Sequence, residues 1–330
     1  MKKLNQMQKI RYSFVKLLTG SDLSKKRLPV MEAKSVKDGP VVWLTAGAHG
    51  DEVGGMVIVQ EIFKIIRKKP LLKGEIHAFS LMNPIGFEAA TEYIVLTQED
   101  LNRSFPGDKT GSFAERIADK IFNTIIRTKP DLVLDLHNDW RDTIQYTLID
   151  PLPAFKSKEI YEKVKSFGSK TGLVLIGEQK ESIEKEMIDR SLTYSLLQKN
   201  IAALTMELGE DDVVNEDDVE SGVNSIWNIL QHLGMVEPME KPFVHQAPES
   251  VRGRILKYSS KPVSSTSGII RFLAKPGDIV KKGQPVARVY NAFGRLMETI
   301  DAPEKAIVLG LSDTAVSFPG LPVMSFGIID

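Results

Sequence analysis

The sequence predicts an α/β protein, a mixed and largely parallel sheet covered by helices, followed by a small all-β module. Three observations lead there. Short apolar runs sized for buried strands alternate with stretches whose apolar residues recur at helical spacing. The chain has 330 residues, more than one average domain of roughly 100–200 holds. Its character also changes after a proline-punctuated stretch, beyond which no long helical pattern remains. Two units are therefore expected, over residues 1–245 and 246–330.

Val41–Ala46 is a short apolar run of the kind that forms a buried central strand. Residues 52–69 place Ile58, Ile62, Ile65 and Ile66 on one helical face, and Pro70 follows. Residues 75–82 read as a second strand, closed by Asn83-Pro84. The loop of some twenty residues after it is long for a compact domain, which marks it as functional. Ser112-Phe113-Ala114-Glu115 has the form of a capping box, with Ile117, Ile121 and Ile125 aligned behind it. Residues 132–137 and 201–208 are further buried-strand runs, the second preceded by a helix-like stretch at 191–200. Pro238, Pro242 and Pro248 punctuate the linker, and short strands divided by Gly and Pro make up the rest.

Apolar residues make up 42% of the chain and charged residues 26%, ordinary for a globular protein. Lys plus Arg and Asp plus Glu are 43 each, so no net field draws nucleic acid or an anionic membrane, and neither partner is expected. The start, Met1-Lys2-Lys3, is basic, but residues 4–20 alternate apolar with polar and lack a signal-peptide core. No apolar run approaches the roughly 20 residues of a membrane span. Cysteine is absent, so any metal must be held by His and carboxylates. A cytoplasmic setting is the expectation.

Four fragments carry chemistry. Gly47-Ala48-His49-Gly50-Asp51-Glu52 lies where a buried strand gives way to a helix, at the strand end where open α/β sheets build their sites. The flanking glycines permit unusual backbone angles and close approach. A plain junction whose His caps the helix would look similar. Asp135-Leu136-His137 ends another apolar strand, and its His joins His49 and Glu52 in a set that leaves one position open on zinc. Asp135 shares a strand face with His137, either to orient its imidazole or as a buried structural acid. Glu207 ends a third apolar strand, where a carboxylate is costly unless paired or used. Asp100-Leu101-Asn102-Arg103 sits in the long loop, and its Arg offers a fork for a carboxylate or for a surface acid. His77, His232 and His245 have no comparable setting.

In this order the four fragments resemble the succinylglutamate desuccinylase and aspartoacylase family of the zinc carboxypeptidase superfamily, from about Leu28 to the C-terminus. The resemblance implies one zinc per chain on His49, Glu52 and His137, with Glu207 as general base. It implies Asn102 and Arg103 as contacts to a small-molecule substrate bearing a carboxylate. The activity implied is hydrolysis of an N-acyl amide on a small amino acid or related metabolite. A carboxypeptidase on short peptides and a non-catalytic binding homologue are the alternatives, and a homo-oligomer is left open. The segment from Ser267-Gly268 through Pro285-Val286 resembles the family's β-module, itself similar to lipoyl and biotinyl carrier domains. The turn Asn291-Ala292-Phe293-Gly294 has no Lys to modify, so the module is expected to be structural or gating. One departure stands out. Relatives place an oxyanion-steadying Arg shortly before Asp-Leu-Asn-Arg, where this chain has Thr91-Glu92-Tyr93, so another cation, Arg141 or Arg190, is expected to supply that donor.

Overall fold

The computed structural model describes residues 7–19, 23, 25–241 and 243–329, so that Met1-Lys2-Lys3, Pro242 and Asp330 lie outside the described residues. The chain opens with strands β1 (Ile10–Thr19), β2 (Lys25–Lys34) and β3 (Val41–Ala46), then helix α1 (Gly54–Lys68) and strand β4 (Glu75–Phe79). Helices α2 (Pro84–Ala89) and α3 (Phe113–Arg127) flank the long loop, and β5 (Leu132–Asp139), β6 (Asp142–Thr143) and β7 (Tyr146–Ile149) follow. Next come α4 (Lys158–Thr171), β8 (Val174–Gly177), α5 (Lys180–Glu186), α6 (Leu192–Leu197), β9 (Ala203–Glu210) and α7 (Glu216–His232). The remainder is β10 (Ile255–Ser259), β11 (Gly268–Phe272), β12 (Ile279–Val280), β13 (Pro285–Tyr290), β14 (Leu296–Asp301), β15 (Ala306–Leu311), β16 (Val316–Ser317) and β17 (Met324–Ile328).

One sheet runs in the order β1-β2-β4-β3-β5-β9-β7-β8-β10-β17-β15-β12, with β6 beside β15. Pairing is parallel along β4-β3-β5-β9 and again along β7-β8-β10. Elsewhere it is antiparallel, including the β7–β9 junction and both edges. The sheet is mixed as expected, but "largely parallel" holds only for its centre. The reason lies in connectivity: helical crossovers link the central strands, whereas the N-terminal hairpin and the C-terminal strands return without one.

Local sequence accounts for the elements that carry the site. Val42, Trp43 and Leu44 of β3 are buried, as a strand covered on both faces requires. α1 buries Ile58, Ile62 and Ile66, spaced by one helical turn. The expected capping box opens α3: Ser112 Oγ accepts from the Glu115 amide at 3.2 Å, and the Ser112 amide donates to Glu115 Oε2 at 2.9 Å. α1 and α7 cover the face of Leu136 and Leu208, because Gly55 abuts Leu136 and Gly222 abuts Ile58 and Leu208. α6 covers the opposite face, where Thr205 bonds Thr193 at 3.3 Å. Strand alternation puts Glu207 on that second face, with Thr205.

Residues after 246 divide between two sheets. β10 pairs in parallel with β8 and brings β17, β15 and β12 onto the main sheet, whereas β14-β13-β11-β16 form a separate one. Asn291–Gly294 is the tip of the β13–β14 hairpin, where Phe293 is 97% exposed. No helix among the described residues is long and apolar enough to cross a membrane.

Candidate active site

The His49–Glu52 turn is set by contacts that a larger residue would prevent. Gly47 has φ +65°, a left-handed value that favours glycine. A Cβ on Gly50 would stand 2.0 Å from the Gly86 carbonyl carbon, so the turn can lie against α2 only with glycine there. The Gly50 amide donates to the Thr91 carbonyl at 2.9 Å and completes the contact. α1 begins two residues after Glu52, which frees this carboxylate to turn inward, where it is 8% exposed.

There it meets both imidazoles. His49 Nδ1 lies 2.5 Å from Glu52 Oε1, and His137 Nδ1 lies 2.8 Å from Glu52 Oε2. The other nitrogen of each ring faces a second carboxylate: His49 Nε2 is 3.3 Å from Asp100 Oδ1, and His137 Nε2 is 3.2 Å from Asp135 Oδ2. Asp135 is buried and is held in turn by the Thr45 hydroxyl at 2.6 Å. Asp135, hydrogen-bonded to His137 Nε2, favours the tautomer that leaves Nδ1 with a lone pair, the usual second layer of a metal-binding histidine, while Asp100 faces His49 Nε2 as a nearby charge without a hydrogen bond. Of the two readings of Asp135, the orienting one has its geometry here.

The carboxylates draw positive charge to this centre, a proton on each ring or the cation that displaces it. Burial alone would lower the His49 pKa, but Glu52 and Asp100 overcome it and lift the ring to about 10. Glu52, despite burial, is held well below the usual carboxylate range by the two imidazoles. Two donor nitrogens and an ionised carboxylate converging on one point fit a borderline divalent cation such as zinc, with room for a further ligand.

Glu207 stands beside His137 in the register of β5 and β9. Burial pushes its carboxyl well above the ordinary value; His137 opposes the push, and the charges of Asp139 and Glu52 add to it. Its Oε2 has no hydrogen-bond partner among the described residues. A cavity of about 200 Å3 joins His49, Glu52, His137 and Glu207 to Asn102 and Arg103. Asn102 bridges two elements, its Oδ1 accepting from the Leu192 amide at 3.1 Å and its Nδ2 lying 3.4 Å from His137 Nε2. Arg103 donates from Nε to the Glu186 carbonyl at 2.6 Å and from Nη1 to the Asn102 carbonyl at 3.0 Å.

Neither expected replacement for the oxyanion arginine reaches the cavity. Arg141 pairs with Asp212 at 2.8 Å and is 63% exposed, and Arg190 pairs with Glu115 at 2.5 Å. Arg141 follows β5 and Arg190 ends a short helical turn before α6; acids hold both near the surface, and Arg103 is the guanidinium that lines the cavity. Residues that sequence reasoning passed over also line it, notably Asp139, Glu178, Ser191 and Thr193. Asp139 accepts from the Tyr146 hydroxyl at 2.6 Å. Its place two residues beyond His137 was a usable signal, whereas Glu178 carried none. His77 is a core residue, stacked on Trp43 at 5.0 Å and hydrogen-bonded to Glu75.

A buried His-Glu-His centre at the ends of central strands, with an unpaired carboxylate beside it, defines an amidohydrolase-type site on an α/β sheet. Residues 38–233 match the succinylglutamate desuccinylase/aspartoacylase catalytic domain, and the chain belongs to that family. It is 28% identical over 292 residues to the N-alpha-acetyl-L-2,4-diaminobutyric acid deacetylase of Halomonas elongata, a match spanning 86% of this chain and 80% of the relative. Its fold is similar to that of the product-bound ectoine utilization protein EutE (DoeB) from Ruegeria pomeroyi, with TM-score 0.80, 19% identity and coverage of 99% and 98% of the two chains. It is also similar to succinylglutamate desuccinylase/aspartoacylase from Rhodobacter sphaeroides, with TM-score 0.79, 18% identity and coverage of 99% and 98%. The family's enzymes act on N-acylated amino acids, and this chain is an amidohydrolase of that type.

Proposed function

We propose that the protein is a zinc-dependent deacylase that hydrolyses the N-acyl amide of a small amino acid, releasing a carboxylate and an amine. The observation that carries this reading is the pair of Nδ1 atoms on the two oxygens of Glu52, each ring backed by a carboxylate at Nε2. His49, Glu52 and His137 would hold one zinc per chain, which when bound supplies Lewis acidity to the acyl carbonyl and to the attacking water. Glu207 takes the proton of that water through its unpartnered Oε2 and passes it to the departing nitrogen. A carboxyl whose hold on a proton is strengthened by burial can keep that proton until the nitrogen departs. Arg103, with Nη2 unbonded among the described residues, receives the substrate carboxylate, and Asn102 holds the loop beside it.

The cavity of about 200 Å3 favours an acylated amino acid over a peptide. The relative from Halomonas elongata supports an N-acetyl amino acid as substrate. Residues 1–245 form the catalytic domain in this reading, and residues 246–330 a β-module that buttresses it through β10 on β8. The work is cytoplasmic, on a soluble metabolite.

A panel of N-acetyl and N-succinyl amino acids, assayed for released amine with protein whose metal content is measured, tests the proposal. About one zinc per chain and turnover of at least one N-acyl amino acid are expected. Protein that binds zinc but cleaves none of the panel would refute the deacylase assignment, and full binding retained by His49→Ala would refute the metal centre.

A further inference from the structure

A second cavity, of about 350 Å3, shares no lining residue with the active site. It sits where the first turns of α7 meet the β6–β7 segment, and Gln246 of the linker and Ile307 of β15 also line it. Its size falls in the range of about 300–1,000 Å3 typical of small-molecule sites and exceeds what a bare ion fills.

Two of its side chains are more than nine-tenths buried and lack a partner at one atom. Gln145, 8% exposed, donates from Nε2 to the Asp218 carbonyl at 2.9 Å and to the Leu208 carbonyl at 3.4 Å. Two carbonyl acceptors require the amide nitrogen on their side, which fixes the orientation of the group. Oε1 is then the atom left without a partner among the described residues. Ser221, 9% exposed, stands in the second turn of α7. A helical serine commonly turns its hydroxyl to the carbonyl one turn back, but this Oγ has no partner among the described residues. Leaving such groups unmade costs stability, and a ligand that supplies N–H or O–H donors recovers it. The charged residues that line the cavity are Asp217 and Asp218, and no Lys, Arg or His does so among the described residues. Burial, Glu210 and Asp217 push Asp218 up to about 6, and only a backbone hydrogen bond opposes them.

We propose that this cavity is a second ligand site, for a small organic cation: a primary ammonium with a hydroxyl or second amine a few bonds away. N–H and O–H groups of the ligand complete Gln145 Oε1 and Ser221 Oγ, and its charge lies beside Asp217 and Asp218. Charge and a second donor are both needed. A neutral polyol leaves the acids without a counter-charge, and a plain alkylammonium carries donors at one end only. The ligand ties α7 to the segment that leads into Tyr146, the neighbour of Glu207 in the sheet. The site stands whether or not the deacylase reading does.

The experiment is calorimetric titration of the full-length protein, as purified, with the amino alcohol 4-aminobutanol, its diol analogue, butylamine, Mg2+ and Ca2+. The amino alcohol should bind at a single site per chain. It should bind at least about tenfold more tightly than the diol and about fivefold more tightly than butylamine, the factors that a charge-assisted and a neutral hydrogen bond supply. Ser221→Ala combined with Asp217→Asn leaves Gln145 and its bonds in place and should weaken binding about tenfold. Glu207→Gln should leave the affinity unchanged. Hydrogen exchange should slow at residues 143–145 and 217–221 when the amino alcohol binds. Equal affinity for the diol would overturn the cationic ligand, and tight binding of Mg2+ or Ca2+ that excludes the amino alcohol would make this a metal site instead. Binding lost in Glu207→Gln but kept in the double variant would place the amine in the active site and overturn the proposal. So would no binding of the amino alcohol at millimolar concentration, since solvent alone would then fill the cavity.

Discussion

Glu207→Gln should abolish turnover and stabilise the metal-free fold, two effects of opposite value from one atom pair. The Oε2 atom is buried without a partner among the described residues, and the charges of Asp139 and Glu52 add to the burial that raises the carboxyl's pKa. In the unfolded chain the same carboxyl ionises at about 4.3. A folded-state pKa above the unfolded one means that the folded state binds the extra proton, so stability falls as pH rises past the unfolded value. Glutamine has the same shape and no charge to lose, so it escapes that cost. An unsatisfied buried group costs about 1–3 kcal/mol and a charged one more, and glutamine still leaves its amide unpaired, so only the excess, on the order of 1–3 kcal/mol, is recovered. For a chain this long, at about 2.1 cal/mol/K of unfolding entropy per residue, the gain is about 1–5 °C in Tm. Thermal unfolding in the presence of chelator should show it near pH 7, shrinking toward zero as pH approaches 4. Turnover with the best N-acyl amino acid should drop about 10²–10⁴-fold, as removal of a general acid–base does. A variant that unfolds earlier than its parent at pH 7, or that keeps parental turnover, would refute the reasoning: the first denies the buried unpaired charge, the second its catalytic use.

Asp135→Asn removes the charge behind His137 Nε2 and should weaken zinc binding about 10–100-fold in a chelator competition, with little change in the far-ultraviolet spectrum. Equal affinity would make Asp135 merely structural. Arg103→Ala should cost substrates with a free carboxylate about 10–150-fold more in kcat/KM than their amide analogues, and equal losses would confine Arg103 to holding Glu186 and Asn102. Gly50→Ala forces a Cβ into the Gly86 backbone, so it should lower Tm by several degrees and metal affinity with it. An unchanged Tm would mean that the turn and α2 separate freely.

The parts of this molecule legible in the sequence are those in which one physical requirement dominates. Central strands buried on both faces need unbroken apolar runs, and Val41–Ala46 and the run ending at His137 announce themselves by that alone. The capping box of α3 is local chemistry, and Ser112 and Glu115 make both of its bonds. The edges obey other rules. β1 exposes Tyr12 and Phe14 and is specified by its partner β2 rather than by its own pattern. The β10–β8 pairing joins residues some eighty positions apart, and no local signal encodes it. At the site, His49, Glu52 and His137 could be found because strand ends and glycines mark them. Arg141 and Arg190 misled because position in sequence does not tell which acid captures a guanidinium. Asp212 and Glu115 do so, out at the surface.

Glu178 was illegible for a further reason: its significance is relational. A Glu after a short strand is ordinary, and only the cavity shows that it faces the same space as Glu207 with nothing to pair with. Other acids crowd it: Asp139 and Glu207 line the same space, and Asp150 is close enough to raise it further. Burial raises Glu178 to about 8 and Asp150 to about 7, and it lifts Asp139 and Glu207 as well. A fold selected for stability alone would replace such groups with apolar residues, since buried unpaired acids weaken it. Their retention in one cavity, beside the two imidazoles, follows from the proposed reading, in which a divalent cation completes Glu52 and the substrate carboxylate completes Arg103. In that reading the free energy that the cavity costs the fold is returned as binding of cation and substrate, which together set the amide beside Glu207.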